Sequence, residues 1–199
     1  MDTSNGYASH HSFTFPLSAK SLYFLSRGDY NHGSLRFAVS ENRKDDIGIG
    51  ITVHYPSHSA INKVRICSLE RINKGYGMGF YVCPFRNSPL RDLTDFVQTP
   101  DNGGIYLGQR IKFEAVVTFP PAILDHPLHT DLLRTSMSNW RIEVDDIKDH
   151  ISFGSVMFST TNGAIHVGVS LSIILQFSSH LAVYPANVHE VCQYENHQW

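Results

Sequence analysis

A short phrase occurs twice in the chain, and this repeat constrains the fold more than any other feature. The two copies run from Ser136 to Val144 and from Ser159 to Val167, so they are 23 residues apart. In each copy a Ser/Thr-rich run leads to an asparagine, and an Ile-x-Val strand follows after two more residues. One such unit cannot bury its apolar face alone, so the period predicts that successive units stack as rungs of a β-solenoid. We expect Asn139 and Asn162 at equivalent corners, and Val144 beside Val167 at about 5 Å.

The composition is that of a globular chain without an excess of basic residues. Of the 199 residues, 42% are hydrophobic and 17% are charged, so the chain can bury a substantial core. The formal net charge of −2 and the pI of about 6.6 do not indicate a nucleic-acid site or a polybasic membrane patch. The most apolar segment, 169–183, is too short and too rich in serine to span a bilayer. We therefore expect neither a nucleic-acid partner nor a membrane span.

Alternating apolar and polar residues predict a chain built mainly of strands. Leu22–Leu25 and Leu35–Val39 resemble a hairpin, Ile47–Tyr55 alternates throughout, and Arg110–Phe119 is the clearest strand. No window has a long helical period. The predicted fold class is all-β, with an antiparallel, sandwich-like N-terminal part that passes into a short solenoid-like stack at about 113–168. A single β-sandwich is the alternative.

The chain divides into one domain and two flanks. Residues 1–18 are polar and rich in serine and histidine, which predicts a flexible leader closed by Pro16. Residues 19–168 form the predicted all-β domain, with a surface insertion at 84–104 that contains prolines and an Asn-Gly-Gly turn. The repeat pattern stops after Gly168, so residues 169–199 are interpreted as an atypical C-terminal tail, and whether they belong to the native fold stays open.

The three cysteines, Cys67, Cys83 and Cys192, are widely spaced and odd in number. That pattern favours reduced thiols over a disulfide framework. The N-terminus lacks a basic region followed by an apolar run, so it does not have the form of a signal peptide. The sequence therefore predicts an intracellular, cytoplasmic protein.

Seven segments follow one another in a recognisable order: His54-Tyr55, 64–71, 75–80, 111–120, 129–132, Phe153–Ser155 and 159–167. In this order they resemble an uncharacterised domain family of mushroom-forming fungi, over roughly residues 20–168. The last segment is also similar to the repeats of predicted adhesin domains, which implies a β-solenoid and no catalytic residues. The chain departs from the family in two ways, because its repeats stop at Gly168 and its 84–104 insertion is longer.

Twelve histidines raise the question of a metal site. The best cluster is the loop 125–131, where Asp125, His126, His129 and Asp131 supply ligand types suited to zinc or a similar ion. Pro127 prevents the helical turn that would bring the two histidines onto one face, and no cysteine or further histidine is nearby. We expect ordinary loop residues here, without bound metal.

Glycines 75, 77 and 79 do not have the spacing of a phosphate-binding loop, and we expect them where one strand backbone approaches another. Ser155 lacks the second glycine of a nucleophile elbow. Glu143, Asp145 and Asp146 are interpreted as a solvated charge run rather than a glycosidase pair.

Four aromatic residues, Trp140, Tyr76, Tyr81 and Tyr106, could stack on sugars, although isolated aromatics are more often buried. An exposed row of them would favour a glycan-binding domain.

No catalytic, cofactor-binding or metal-binding residue is assigned, and no cofactor is implied. The sequence predicts a non-enzymatic structural or interaction module similar to adhesin-like β-repeat domains. Its expected partner is another protein, or a second copy, bound through an exposed strand edge. The alternatives are a glycan-binding β domain and a metal-dependent hydrolase that uses the loop 125–131.

Overall fold

The computed structural model describes residues 6–27, 31–42, 45–62, 64–82, 111–121, 128–168, 175–177 and 189–193, the last two ranges by their backbone alone. These residues form thirteen strands and one helical turn, α1 (His58–Ile61). The strands are β1 (Tyr7–Pro16), β2 (Ser21–Arg27), β3 (Asn31–Val39), β4 (Asp46–Tyr55), β5 (Val64–Arg71), β6 (Gly75–Val82), β7 (Ile111–Phe119), β8 (Leu128–Ser136), β9 (Trp140–Val144), β10 (Ile151–Phe158), β11 (Ile165–Val167), β12 (Leu175–Phe177) and β13 (His189–Gln193). The predicted all-β class is confirmed. None of the described helical residues forms a segment long and apolar enough to cross a membrane.

The strands form two mixed sheets that enclose one hydrophobic core. Sheet A has the order β1-β4-β7-β3-β9-β11, and sheet B has the order β12-β10-β8-β2-β6-β5-β13. Side chains alternate across a strand, so one face of each sheet is apolar and turns inward. Aromatic rings join the sheets: the centroid of Phe24 in sheet B lies 5.5 Å from that of Phe37 in sheet A, and Phe80 lies 5.7 Å from Phe113.

Four pairs of consecutive strands cross from sheet B to sheet A and stack in parallel. Along the stack the pairs are β6/β7, β2/β3, β8/β9 and β10/β11. The β2/β3 pair therefore lies between pairs that come later in the chain. Antiparallel pairing is found between β1 and β4, β4 and β7, β5 and β6, and β5 and β13. The prediction that Leu22–Leu25 and Leu35–Val39 form a hairpin is wrong, because β2 and β3 belong to different sheets.

The 23-residue repeat occupies the last two pairs of this stack. Ile151 lies opposite Leu128 in sheet B, and Val167 lies opposite Val144 in sheet A, both at an offset of 23 residues. At the corner between the sheets, Asn162 Nδ2 donates a hydrogen bond to Asn139 Oδ1 at 2.6 Å. The expected adjacency of the two copies is confirmed.

The expectation of a flexible leader over residues 1–18 is wrong for residues 7–16, because these residues form β1. That strand pairs with β4 from Tyr7↔Tyr55 to Pro16↔Asp46. Its composition is polar, but Phe15 is 3% exposed and Phe13 packs against the core. A strand with only a few apolar anchors is stabilised here by its ladder to β4, which a local reading of polarity does not reveal.

Cys67 takes part in a disulfide, so the expectation of reduced thiols is wrong for this residue. It lies on β5, directly opposite Cys192 of β13 in the backbone register. Cys67 and Cys192 are far apart in sequence, and the pairing of β13 with β5 brings their backbones to one position. Disulfides persist in oxidising compartments, so this bond does not favour the cytoplasmic location that the sequence indicated.

The C-terminal tail contributes strands at both ends of sheet B. β12 pairs in parallel with β10, and β13 pairs antiparallel with β5. Strand pairing thus continues beyond Gly168, where the sequence repeat stops. The insertion at 84–104 lies outside the described residues.

Candidate interaction surfaces

His129 and Asp131, from the candidate metal loop 125–131, lie on the outer face of sheet B. His129 Nε2 is 3.3 Å from Asp131 Oδ1, and its Nδ1 is 3.0 Å from Ser152 Oγ. The histidine and aspartate side chains are 61% and 60% exposed. Asp125 and His126 lie outside the described residues. Within the described part of the chain, no group of three or more His, Cys, Asp or Glu side chains is placed to hold a metal ion.

The Asp131–His129–Ser152 chain has the residue types of a nucleophilic triad, and sequence reasoning did not identify it. Ser152 lies opposite His129 because β10 pairs with β8 at the repeat offset. In a hydrolase, the exclusion of water strengthens the hydrogen bonds of a triad, and further hydrogen-bond donors point at the oxyanion that forms during the reaction. Here the histidine and the carboxylate are largely solvated, which weakens their interaction.

The carboxylates of the expected charge run lie in separate ion pairs on sheet A and beside it. Arg36 donates to both oxygens of Asp145, at 3.1 Å from Nε to Oδ1 and 2.7 Å from Nη2 to Oδ2, and this bidentate bond raises the pKa of Arg36. Arg141 Nε pairs with Glu143, and Lys148 Nζ is 3.9 Å from Asp146. Glu143 and Asp145 each have their own cation, so they do not form a paired-carboxylate site.

The aromatics considered as candidates for sugar stacking do not form an exposed row among the described residues. Trp140 is fully buried, 4.8 Å from Phe80 between ring centroids. Tyr76 packs toward the core with its ring 5.7 Å from Phe15, and Tyr106 lies outside the described residues. Tyr7, which sequence reasoning missed, is 43% exposed and stacks on Tyr55.

Glycines 75, 77 and 79 lie on the outer face of β6, where two tyrosine residues lie against them. A Cβ on Gly77 would collide with the backbone carbonyl of Tyr23, and a Cβ on Gly79 would collide with the ring of Tyr81. Gly77 thus permits the close approach of one strand backbone to another that the sequence predicted, and Gly79 leaves room for a tyrosine ring, which it did not predict.

The end of the stack at β11 leaves part of the core's edge uncovered. Ile142 and Val144 of β9 are 0% and 4% exposed, because β3 and β11 flank them. Their repeat equivalents on β11, Ile165 and Val167, are only partly buried. Among the described strands β11 has one neighbour, β9. This surface, Ile165–Val167, is called the end rung.

A second surface surrounds the turn between β5 and β6. Lys20 N donates to Lys74 O at 2.9 Å, and the Arg71 guanidinium lies 4.2 Å from the ring centroid of Tyr23. Arg134 is the β8 neighbour of Tyr23, and Ile72, at the turn, is 97% exposed. This surface, called the basic turn, comprises Lys20, Tyr23, Arg71, Ile72, Lys74 and Arg134. Arg71 and Lys74 belong to one turn, but Lys20 and Arg134 come from distant segments, so no local motif could have revealed the whole cluster.

No protein-family model and no curated protein matches the sequence. Among solved structures, the chain is similar to a proposed cell adhesion protein from Clostridium sporogenes, with 9% identity and a TM-score of 0.42. The match covers 86% of this chain and 68% of that one. A likeness of this extent does not establish a shared activity.

Proposed function

We propose that the protein is a non-enzymatic structural or interaction module of the adhesin-like β-repeat type, and that a second copy pairs with it at the end rung. The observation that carries this proposal is the difference in burial between equivalent residues. Ile142 and Val144 are enclosed, whereas Ile165 and Val167 stay partly open one rung later.

The outer edge of β11 has no partner among the described strands, and its apolar side chains are half covered, so this edge is a template for another strand. Antiparallel pairing of the end rung with its counterpart in a second copy gives a closed two-fold dimer rather than an open filament. It also completes the burial of two branched side chains per copy. The resemblance to the fungal domain family belongs to the same proposal, since repeats that continue in such a family would occupy this position.

Sedimentation velocity across a range of concentrations tests the proposal. The wild-type chain is expected to dimerise as its concentration rises, and Val167→Lys is expected to remain monomeric because a lysine there opposes strand addition. His166→Lys is the matched control, because His166 lies on the exposed side of the same strand. A wild-type chain that stays monomeric throughout, or a dimer that survives Val167→Lys, contradicts the end-rung interface.

A hydrolase is the second candidate, favoured by the Asp131–His129–Ser152 chain. Hydrolysis of a small activated ester measures it. Turnover that is lost in Ser152→Ala, with folding unchanged by circular dichroism, would replace the interaction module by an enzyme. Equal background rates in the wild type and Ser152→Ala would support the non-enzymatic assignment.

A further inference from the structure

The basic turn concentrates positive charge that the whole-chain composition conceals. The net charge of the chain is −2, yet Lys20, Arg71, Lys74 and Arg134 gather at one end of sheet B. Parallel pairing of β2 with both β6 and β8 produces this convergence. Like charges held together in this way create a local field that the average charge does not describe.

The cations of the basic turn have no carboxylate partner among the described residues, in contrast to those on the outer face of sheet A. There, Arg36, Lys112 and Arg141 each pair with an acid. Among the acids whose side chains the structure describes, Glu70 and Asp131 lie close to the basic turn in sequence or register. Glu70 precedes Arg71 and alternates to the other side of β5, and Asp131 pairs with His129.

The fold restricts the orientation of the Arg71 side chain, which is one of the cations of the basic turn. Tyr23 lies against Gly75 and Gly77, which have no side chain to displace its ring. The Arg71 guanidinium then rests on that ring at 4.2 Å, a cation–π contact that reduces its freedom. Arg71 is therefore partly pre-ordered for an anion, whereas Lys20 and Lys74 are exposed.

Ile72 gives this surface an apolar tip. It is 97% exposed at the turn, immediately beside Arg71 and two residues before Lys74. Lys74 has a φ of 57°, which closes the turn tightly and leaves Ile72 projecting beyond the strands. An exposed apolar side chain between two cations of the same turn, Arg71 and Lys74, matches a medium that is anionic at its surface and apolar just beneath.

We propose that the basic turn docks the protein onto an anionic lipid surface, with Ile72 entering the boundary between headgroups and acyl chains. Each Lys or Arg near such a surface strengthens binding by roughly fivefold, and the apolar tip adds to this. A charged polysaccharide would engage the cations but leave Ile72 in water. An acidic protein would need an apolar pocket that fits this tip. The lipid surface is the partner that uses both features, and this inference is independent of the end rung.

Co-sedimentation with vesicles tests the proposal on the full chain. One set of vesicles contains phosphatidylcholine alone, and the other contains phosphatidylcholine mixed equally with phosphatidylserine. The wild type is expected to bind only the anionic set, and less as salt is raised. Arg71→Glu with Lys74→Glu is expected to weaken binding by at least about 25-fold, since two attractions are lost and two repulsions are added. Ile72→Ser is expected to weaken it several-fold.

Lys112→Glu with Arg141→Glu is the matched control, because it also reverses two charges, on the outer face of sheet A, and it is expected to bind as the wild type does. Equal binding to both vesicle sets would overturn the electrostatic part of the proposal, and unchanged binding of Ile72→Ser would overturn insertion. Failure to bind anionic vesicles, with retention on a sulfated polysaccharide column, would overturn the lipid surface in favour of a polysaccharide. All the substituted side chains lie at the surface, and circular dichroism confirms that each variant is folded.

Discussion

Asn31 is a polar residue at the centre of the core, and its hydrogen bonds join three strands. It is fully buried on β3, its Nδ2 donates to Phe80 O on β6, and its Oδ1 accepts from Trp140 Nε1 on β9, both at 2.8 Å. Asn31→Leu is expected to lower the free energy of unfolding by about 2–4 kcal/mol, because it leaves a buried carbonyl and an indole N–H without partners. Urea unfolding measures the change, with Ser12→Ala on the exposed side of β1 as control. A loss below that of the control would mean that the core has repacked around the leucine.

Glu114 responds to pH through its neighbours on the outer face of sheet A. Hydrogen bonds from Lys112 and then His54 lower the pKa of its carboxyl from the reference value of 4.5. A lowered folded-state pKa means that the carboxylate stabilises the protein above pH 4.5, and that this contribution is lost as the pH falls through the folded pKa. The side chain is 41% exposed, so the contribution is at most about 0.5 kcal/mol. Glu114→Gln should unfold more easily than the wild type at pH 7, and the difference should shrink as the pH falls below 4.5. A difference that stays constant as the pH is lowered would refute this account.

At the scale of the elements, the corner of the repeat depends on one backbone conformation. Asn139 has a φ of 58°, which asparagine and glycine tolerate best, and its side chain accepts a bond from Asn162 one rung later. Asn139→Ala is expected to cost about 1–2 kcal/mol, since it adds strain and removes the bond, whereas Asn139→Gly loses only the bond and costs less. Thermal unfolding of the two variants distinguishes strain from hydrogen bonding. Equal losses would show that the backbone conformation contributes nothing.

At the scale of the whole molecule, a covalent link is expected between the C-terminal tail and the body. The residue of β6 opposite Cys67 is Gly79, four positions before Cys83, whereas Cys192 is directly opposite on β13. Directly opposed antiparallel positions meet the distance that a disulfide requires. Peptide mapping without reductant should therefore link Cys67 to Cys192, and Cys83→Ser should leave that bond intact. Reduction should lower stability by about 2–5 kcal/mol, because the bond closes a very long loop. A Cys67–Cys83 peptide would contradict the register.

The sequence alone determined the strand character and the stacking of the repeat. Both follow from local alternation and from a period, and each is visible in the 23-residue spacing that β8–β11 reproduce. It also explained the glycines of β6, whose close contacts follow from the absence of a side chain.

The candidate sites were decided by tertiary structure alone. Ser152 meets His129, and Arg134 meets Tyr23, through strand pairings between distant segments. The same is true of β1, which is held by its ladder to β4, and of Cys67, whose partner position is on the last strand described. Local patterns report which face of a strand is apolar, but they do not report which strand lies beside it. That choice depends on the burial and pairing of the whole chain, and the proposed interaction surfaces depend on it as well.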